Sequence, residues 1–318
     1  MKKIFGAVLA LALGATTLSA FAQGYPNKPV RVIVPYAAGQ GTDVAMRVVT
    51  EQLAKEMGQS FIIDNKPGAG ANLGVIAATQ APADGYTILL GTNATHAANK
   101  FLYPNLPFDP ETDFAPIALT GMLPLLVCVA ADSPYNDLQQ LLAAARAKPD
   151  TINVGLPHTS ARVVFELLKQ ETKAPLFGLA YKGLPLADLV SGRIQVTIDT
   201  VAATRAHIAA GKLKALAITT AQPSPLMPNV RPVAQQGVPN FEIMPWSALY
   251  APKGTPPEIV AALARATQKV MNMPETRTRM MQLGLDPRTM GPDELREFMK
   301  AEKAKWGQVI RAAGITAD

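Results

Sequence analysis

Val30-Arg31-Val32-Ile33-Val34-Pro35-Tyr36-Ala37-Ala38-Gly39-Gln40-Gly41-Thr42-Asp43 is the stretch that decides the fold. A compact β-branched run over 30–35 passes through a Gly-rich turn into a helical pattern with Val44, Val48, Val49 and Leu53 on one face. β-branched residues suit a buried strand, and apolar positions recurring at helical spacing mark the element that follows. The unit then recurs. Residues 61–63 read as a strand, Asn65-Lys66-Pro67-Gly68-Ala69-Gly70-Ala71-Asn72 as a turn, and a short helix runs through Ile76. A third strand over 86–90 ends in Gly91-Thr92-Asn93. Alternating β and α elements of this size predict a mainly parallel sheet with right-handed crossovers.

The theme continues through the middle of the chain. Strands are expected at 125–129, 152–154, 194–198 and 213–219, with helices over 138–147 and 162–170. A Pro-rich segment, 223–239, is an irregular connection, and β character returns at 246–250. Two helices close the chain. Thr255 is expected to cap the first, with Pro256 in its first turn and Glu258 completing a capping box. The last begins near Pro292 and carries Leu295, Phe298, Met299, Trp306 and Ile310 on a core-facing side.

Composition narrows the class. The 318 residues are 48% hydrophobic and 17% charged, enough apolar material for one large or two medium cores. Lys2 and Lys3, the apolar run to Leu18, and Ala20-Phe21-Ala22 form a Sec signal peptide, 1–22, cut after Ala22. Its loss takes away two lysines and no acid, so the net charge falls from +6 to +4. No Lys/Arg cluster is dense enough to suggest nucleic acid. Cys128 is the single cysteine, lies in an apolar run, and reads as a small core residue.

Both Gly-rich loops follow a strand and open a helix. Each therefore presents unpaired backbone N–H groups at a positive helix end, and two side by side make an anion cradle. Gly68-x-Gly70-x-x-x-Gly74 is no dinucleotide fingerprint, because Asn65-Lys66-Pro67 separates it from the strand and Asp84 sits in a turn. No Gly-x-Ser-x-Gly, His-Glu-x-x-His or Cys-x-x-Cys is present, and His96, His158 and His207 are scattered.

These loops, Pro35 through Asp43 and Asn65 through Gly74, closely resemble the Bug family of periplasmic binding proteins, the TctC-like receptors of tripartite tricarboxylate transporters. The resemblance continues through Asp84-Gly85-Tyr86-Thr87-Ile88-Leu89, Tyr181-Lys182-Gly183, Gly211-Lys212-Leu213-Lys214-Ala215-Leu216-Ala217 and Ala251-Pro252-Lys253-Gly254-Thr255-Pro256. It implies an α/β type II periplasmic binding protein fold, with two Rossmann-like lobes and a ligand cleft between them. Lobe 1 would span 23–124 plus 246–318 and lobe 2 would span 125–245. The implied protein is a monomeric periplasmic receptor, not an enzyme, with no cofactor and no bound metal. It captures a small di- or aromatic carboxylate and passes it to membrane permease subunits. Two rivals remain open at this point, a periplasmic sensor signalling to a kinase and a secreted hydrolase.

The family holds one ligand carboxylate on main-chain N–H groups and ordered water. The implied clamp here is Tyr36, Ala38, Gly39, Gln40, Gly41, Thr42 and Asp43 with Gly68, Ala69, Gly70, Ala71 and Asn72, joined by Asn93. His158, Thr159, Ser160, Arg162, Tyr181, Gly183 and Asp199 would select the distal part of the ligand. Departures fall mainly on that side. Arg162 stands where the family usually has His, and Leu184 replaces a usual glycine, so Arg162 is expected to fork onto a second anionic group.

Overall fold

Two sheets with the same internal layout organise the computed structural model, which describes residues 24–317. The expected signal peptide and its cleavage point lie outside the described residues. The first sheet contains β1 (Val30–Val34), β2 (Phe61–Asn65), β3 (Thr87–Thr92), β4 (Phe114–Met122) and β10 (Trp246–Pro252) in the order β2-β1-β3-β10-β4. The second contains β5 (Leu125–Ala130), β6 (Ile152–Leu156), β7 (Leu176–Ala180), β8 (Val196–Thr200) and β9 (Leu213–Ile218) in the order β7-β6-β8-β5-β9.

The sheets are mixed rather than mainly parallel. β1 pairs parallel with β2 and β3, while β10 runs antiparallel between β3 and β4. Likewise β6 pairs parallel with β7 and β8, and β5 runs antiparallel between β8 and β9. In each sheet the reversed strand is the one that arrives directly from the other sheet. Such a strand enters from the opposite end, so local βαβ logic does not anticipate its direction.

Three helices close the chain, Pro257–Asn272, Pro274–Gln282 and Pro292–Ala313, where two were expected. The expected capping box is also absent. Thr255 donates its hydroxyl to the Pro252 carbonyl at 2.8 Å, and the next helix starts behind Pro256 with no side-chain cap. Pro256 and Pro257 bring no N–H to that start, so fewer donors there need a cap.

One buried apolar cluster runs through both sheets, from Ile33 and Leu89 to Val127, Val164 and Phe165. The helix Pro292–Ala313 adds Leu295, Met299, Trp306, Val309 and Ile310 to it, each side chain contributing about 1.5–3 kcal/mol through burial. Cys128 is buried, and that burial pushes its thiol up to about 12, as a structural residue requires. His96 sits in the short π-turn Ala94–Ala98 that follows β3. Its ring stacks on Tyr250 with centroids 4.0 Å apart, and burial pushes its pKa down to about 3. It is a neutral packing residue.

Candidate functional site

The turn after β1 is shaped by a buried carboxylate. Asp43 lies in the first turn of the helix Gly41–Met57, and its side chain is fully buried. It accepts from the Gly39 N–H at 2.8 Å, from Arg47 Nε at 2.9 Å and Nη2 at 3.1 Å, and from Asn65 Nδ2 at 2.9 Å. Burial would raise its pKa, but the hydrogen bonds from Arg47, Asn65 and Gly39 outweigh it and hold the carboxyl below the ordinary value. Gln40 occupies the N-cap position without a side-chain cap. The Gly39 and Gln40 N–H groups are used within the turn, whereas those of Gly41, Thr42 and Asp43 have no partner among the described residues.

The turn after β2 is shaped by backbone strain, and its helix start spends the Asn72 N–H on the Ala69 carbonyl and the Leu73 N–H, at 3.5 Å, on the Gly68 carbonyl. Gly68, Ala69, Gly70 and Ala71 all have positive φ, at 127°, 48°, 62° and 76°. The two alanines each pay about 1–2 kcal/mol for the left-handed region, so surrounding contacts must enforce the shape. Asn99 supplies them by donating Nδ2 to the Gly70 carbonyl at 2.9 Å and to Asn72 Oδ1 at 2.7 Å. The Tyr103 hydroxyl occupies the space where a Cβ on residue 70 would stand. The helix Asn72–Thr79 then begins behind Ala71, again with no side-chain cap.

The second sheet answers with side chains. His158 is the N-cap of the helix Thr159–Thr172 and accepts the Ala161 N–H on Nδ1 at 3.1 Å. That assignment leaves the proton on Nε2, which lies 3.2 Å from Asp199 Oδ1. Thr200 caps the helix Val201–Ala209 by accepting the Ala203 N–H at 3.2 Å. Its own N–H donates to Asp199 Oδ1 at 2.7 Å.

These turns converge on a cavity of about 550 Å³. Of the expected residues, Tyr36, Gln40, Thr42, Gly70, Asn93, His158, Thr159 and Ser160 line it. Asn93 donates to Ser160 Oγ at 3.3 Å across the gap, and Tyr36 shares a 2.7 Å hydrogen bond with Thr92. Ala38, Gly39, Gly41, Asp43, Gly68, Ala69, Ala71 and Asn72 belong to the turns around the cavity without lining it. Arg162 and Tyr181 line an adjoining groove with Phe177 and Lys182, which shares His158 and Thr159 with the cavity, and the Tyr181 hydroxyl donates to Asp188 at 2.9 Å. Arg162 thus lines the groove that meets the cavity at His158 and Thr159, one step from the cavity wall itself. Gly183 lines neither space, and Asp199 sits behind His158 and Thr200.

Sequence reading missed the apolar wall, made by Ala98, Leu102, Tyr103, Leu123, Pro245 and Trp306, and the polar Asn99 and Thr200. Trp306 was expected on a core-facing stripe, and it sits there fully buried at the back of this wall. Thr200, adjacent to a flagged Asp199 at a strand end, carried a usable signal. No Lys, Arg, Asp or Glu side chain lines the cavity among the described residues. Both nitrogens of His158 are engaged and Ser160 is held by Asn93, so no base is aimed at a nucleophile here.

Two mixed α/β sheets sharing a cavity lined from both define a type II periplasmic binding fold. The family described as the tripartite tricarboxylate transporter family receptor matches residues 45–315, and the chain belongs to it. Protein BugT of Bordetella pertussis is 32% identical over 316 residues, covering 98% of this chain and 96% of BugT. Among solved structures, R. palustris Rpa4515 with adipate superposes with a TM-score of 0.79 at 32% identity, over 92% of this chain and 99% of that one. MatC (Rpa3494) from Rhodopseudomonas palustris with bound malate gives a TM-score of 0.73 at 31% identity, over 90% and 100%. The chain is a periplasmic-type solute-binding receptor and not an enzyme.

Proposed function

We propose that this receptor binds a small carboxylate in the cavity and delivers it to the membrane permease subunits of a tripartite transporter. The observation that carries the reading is the pair of uncapped helix starts, behind Gln40 and behind Ala71, at the first-sheet side of the cavity. Open N–H groups and the positive helix ends stabilise one anion with no lysine or arginine. The relatives solved with adipate and with malate support the ligand class. Lobe 1, residues 23–124 plus 246–318, anchors the carboxylate, and lobe 2, residues 125–245, closes over the rest. Ligand contacts to both lobes favour the closed form, which docks on the permease. The mature protein starts at Gln23 and works as a monomer in the periplasm.

Native mass spectrometry of exported protein tests this directly. The expected spectrum is a monomer beginning at Gln23 that loses a small carboxylate on activation. A protein that neither retains nor binds any carboxylate by calorimetry would remove the proposal.

A further inference from the structure

The second-sheet wall holds a buried carboxylate that pairs with no lysine or arginine among the described residues. Asp199 is 4% exposed, and its Oδ1 receives His158 Nε2, the Thr200 N–H and, at 3.4 Å, the Thr200 hydroxyl. His158 accepts on Nδ1, so the imidazole is neutral and contributes no charge. His158 is the one basic side chain within 4.0 Å of this carboxylate among the described residues. Arg162, one turn after His158, lines the adjoining groove instead.

The two ends of the cavity thus differ in sign. The first-sheet end offers unpaired N–H groups; the second-sheet end offers His158, Thr159, Ser160 and Thr200 in front of a buried carboxylate. Between them lie Leu102, Tyr103, Leu123 and Trp306. A ligand with carboxylates at both ends would set its second charge against Asp199 in surroundings of low dielectric. The helix start at Thr159 offers fewer open donors than the start at Gly41, because His158 already takes the Ala161 N–H.

We propose that the ligand is a monocarboxylate with an apolar body and an uncharged or hydrogen-bond-donating distal end, and that Asp199 excludes a second carboxylate. This rests on the carboxylate-receptor reading above and separates the chain from relatives solved with adipate and malate.

Calorimetry on the mature protein with two matched pairs, hexanoate against adipate and benzoate against terephthalate, tests it. The monocarboxylate of at least one pair is expected to bind about tenfold or more tightly than its dicarboxylate partner. Asp199→Asn should narrow that ratio by a similar factor. Tighter binding of adipate or terephthalate to the wild type overturns the proposal while leaving the receptor reading intact. A ratio unchanged in a folded Asp199→Asn protein removes Asp199 as the cause. Should that variant fail to fold, the wild-type ratio still decides the ligand class. No binding of any of the four, with no carboxylate in the native mass spectrum, removes the receptor reading itself and this proposal with it.

Discussion

The two sheets start helices at the edge of one cavity in opposite ways. On the second sheet, His158 and Thr200 each cap a helix with a side chain. On the first, Gln40 and Ala71 stand at N-cap positions and cap nothing. A side-chain cap is worth about 1 kcal/mol, so leaving two helix starts bare has a cost in stability. The bare starts lie where an anion is expected to bind, and the capped starts lie where hydroxyls and an imidazole are presented instead.

The largest way to break this comparison is to release the first turn. Asp43→Ala leaves the Gly39 N–H, Arg47 and Asn65 without their shared acceptor, and should cost about 3 kcal/mol in urea unfolding. Carboxylate affinity should fall with it, and an unfolding midpoint equal to wild type would show that the carboxylate does not hold the turn. Because the folded pKa of Asp43 is lowered, its contribution is complete above the ordinary value of 3.8 and is lost as pH falls through the lowered value. Asp43→Asn should flatten that part of the acid profile.

On the other wall, His158→Ala removes a cap and a partner of buried Asp199, and should cost about 2 kcal/mol by thermal or chemical unfolding. His158→Asn should recover about 1 kcal/mol of this, since asparagine caps well but does not reach the carboxylate. Equal losses in the two variants would mean that capping contributes nothing.

Gln40→Asp gives the first sheet a cap of the second-sheet kind. Stability should rise by about 1 kcal/mol while carboxylate affinity drops about tenfold or more, because the new carboxylate competes for the same N–H groups. A gain in stability with unchanged affinity would place the anion elsewhere. The smallest effect is expected at Ala69, which is exposed and has a φ of 48°. Ala69→Gly relieves the left-handed strain and should stabilise by somewhat less than about 1 kcal/mol, measured by denaturant midpoint.

Much of the architecture was legible because its signals are local. β-branched runs and Gly-rich turns mark β1 and β2, and the helix Leu138–Ala147 was read to the residue. β4 and β7 escaped notice. β4 contains Pro116 and Gly121, and β7 reads Leu-Phe-Gly-Leu-Ala at a sheet edge, where Gly178 makes room for the Phe165 ring. The two Gly-rich turns beside the cavity were visible for the same local reason. The apolar wall was not, since Tyr103 and Trp306 reach the cavity from a short loop and from the last helix. Which side of the helix Thr159–Thr172 faces the cavity depends on its docking, so Arg162 could not be placed from spacing alone.

The late return of β10 to the first sheet bears on the order in which the chain can assemble. β3 and β4 do not pair with each other; β10 fills the gap between them. Until residues 246–252 leave the ribosome, the first sheet lacks its central antiparallel strand, and contacts over such sequence separations form slowly. The second sheet, built from β5 to β9, is continuous in the chain and has no such wait. The half synthesised first is therefore the half completed last. A nascent chain stalled before Trp246 should show protease protection over 125–218 ahead of 30–122, and the reverse order would show that the early strands close without their partner.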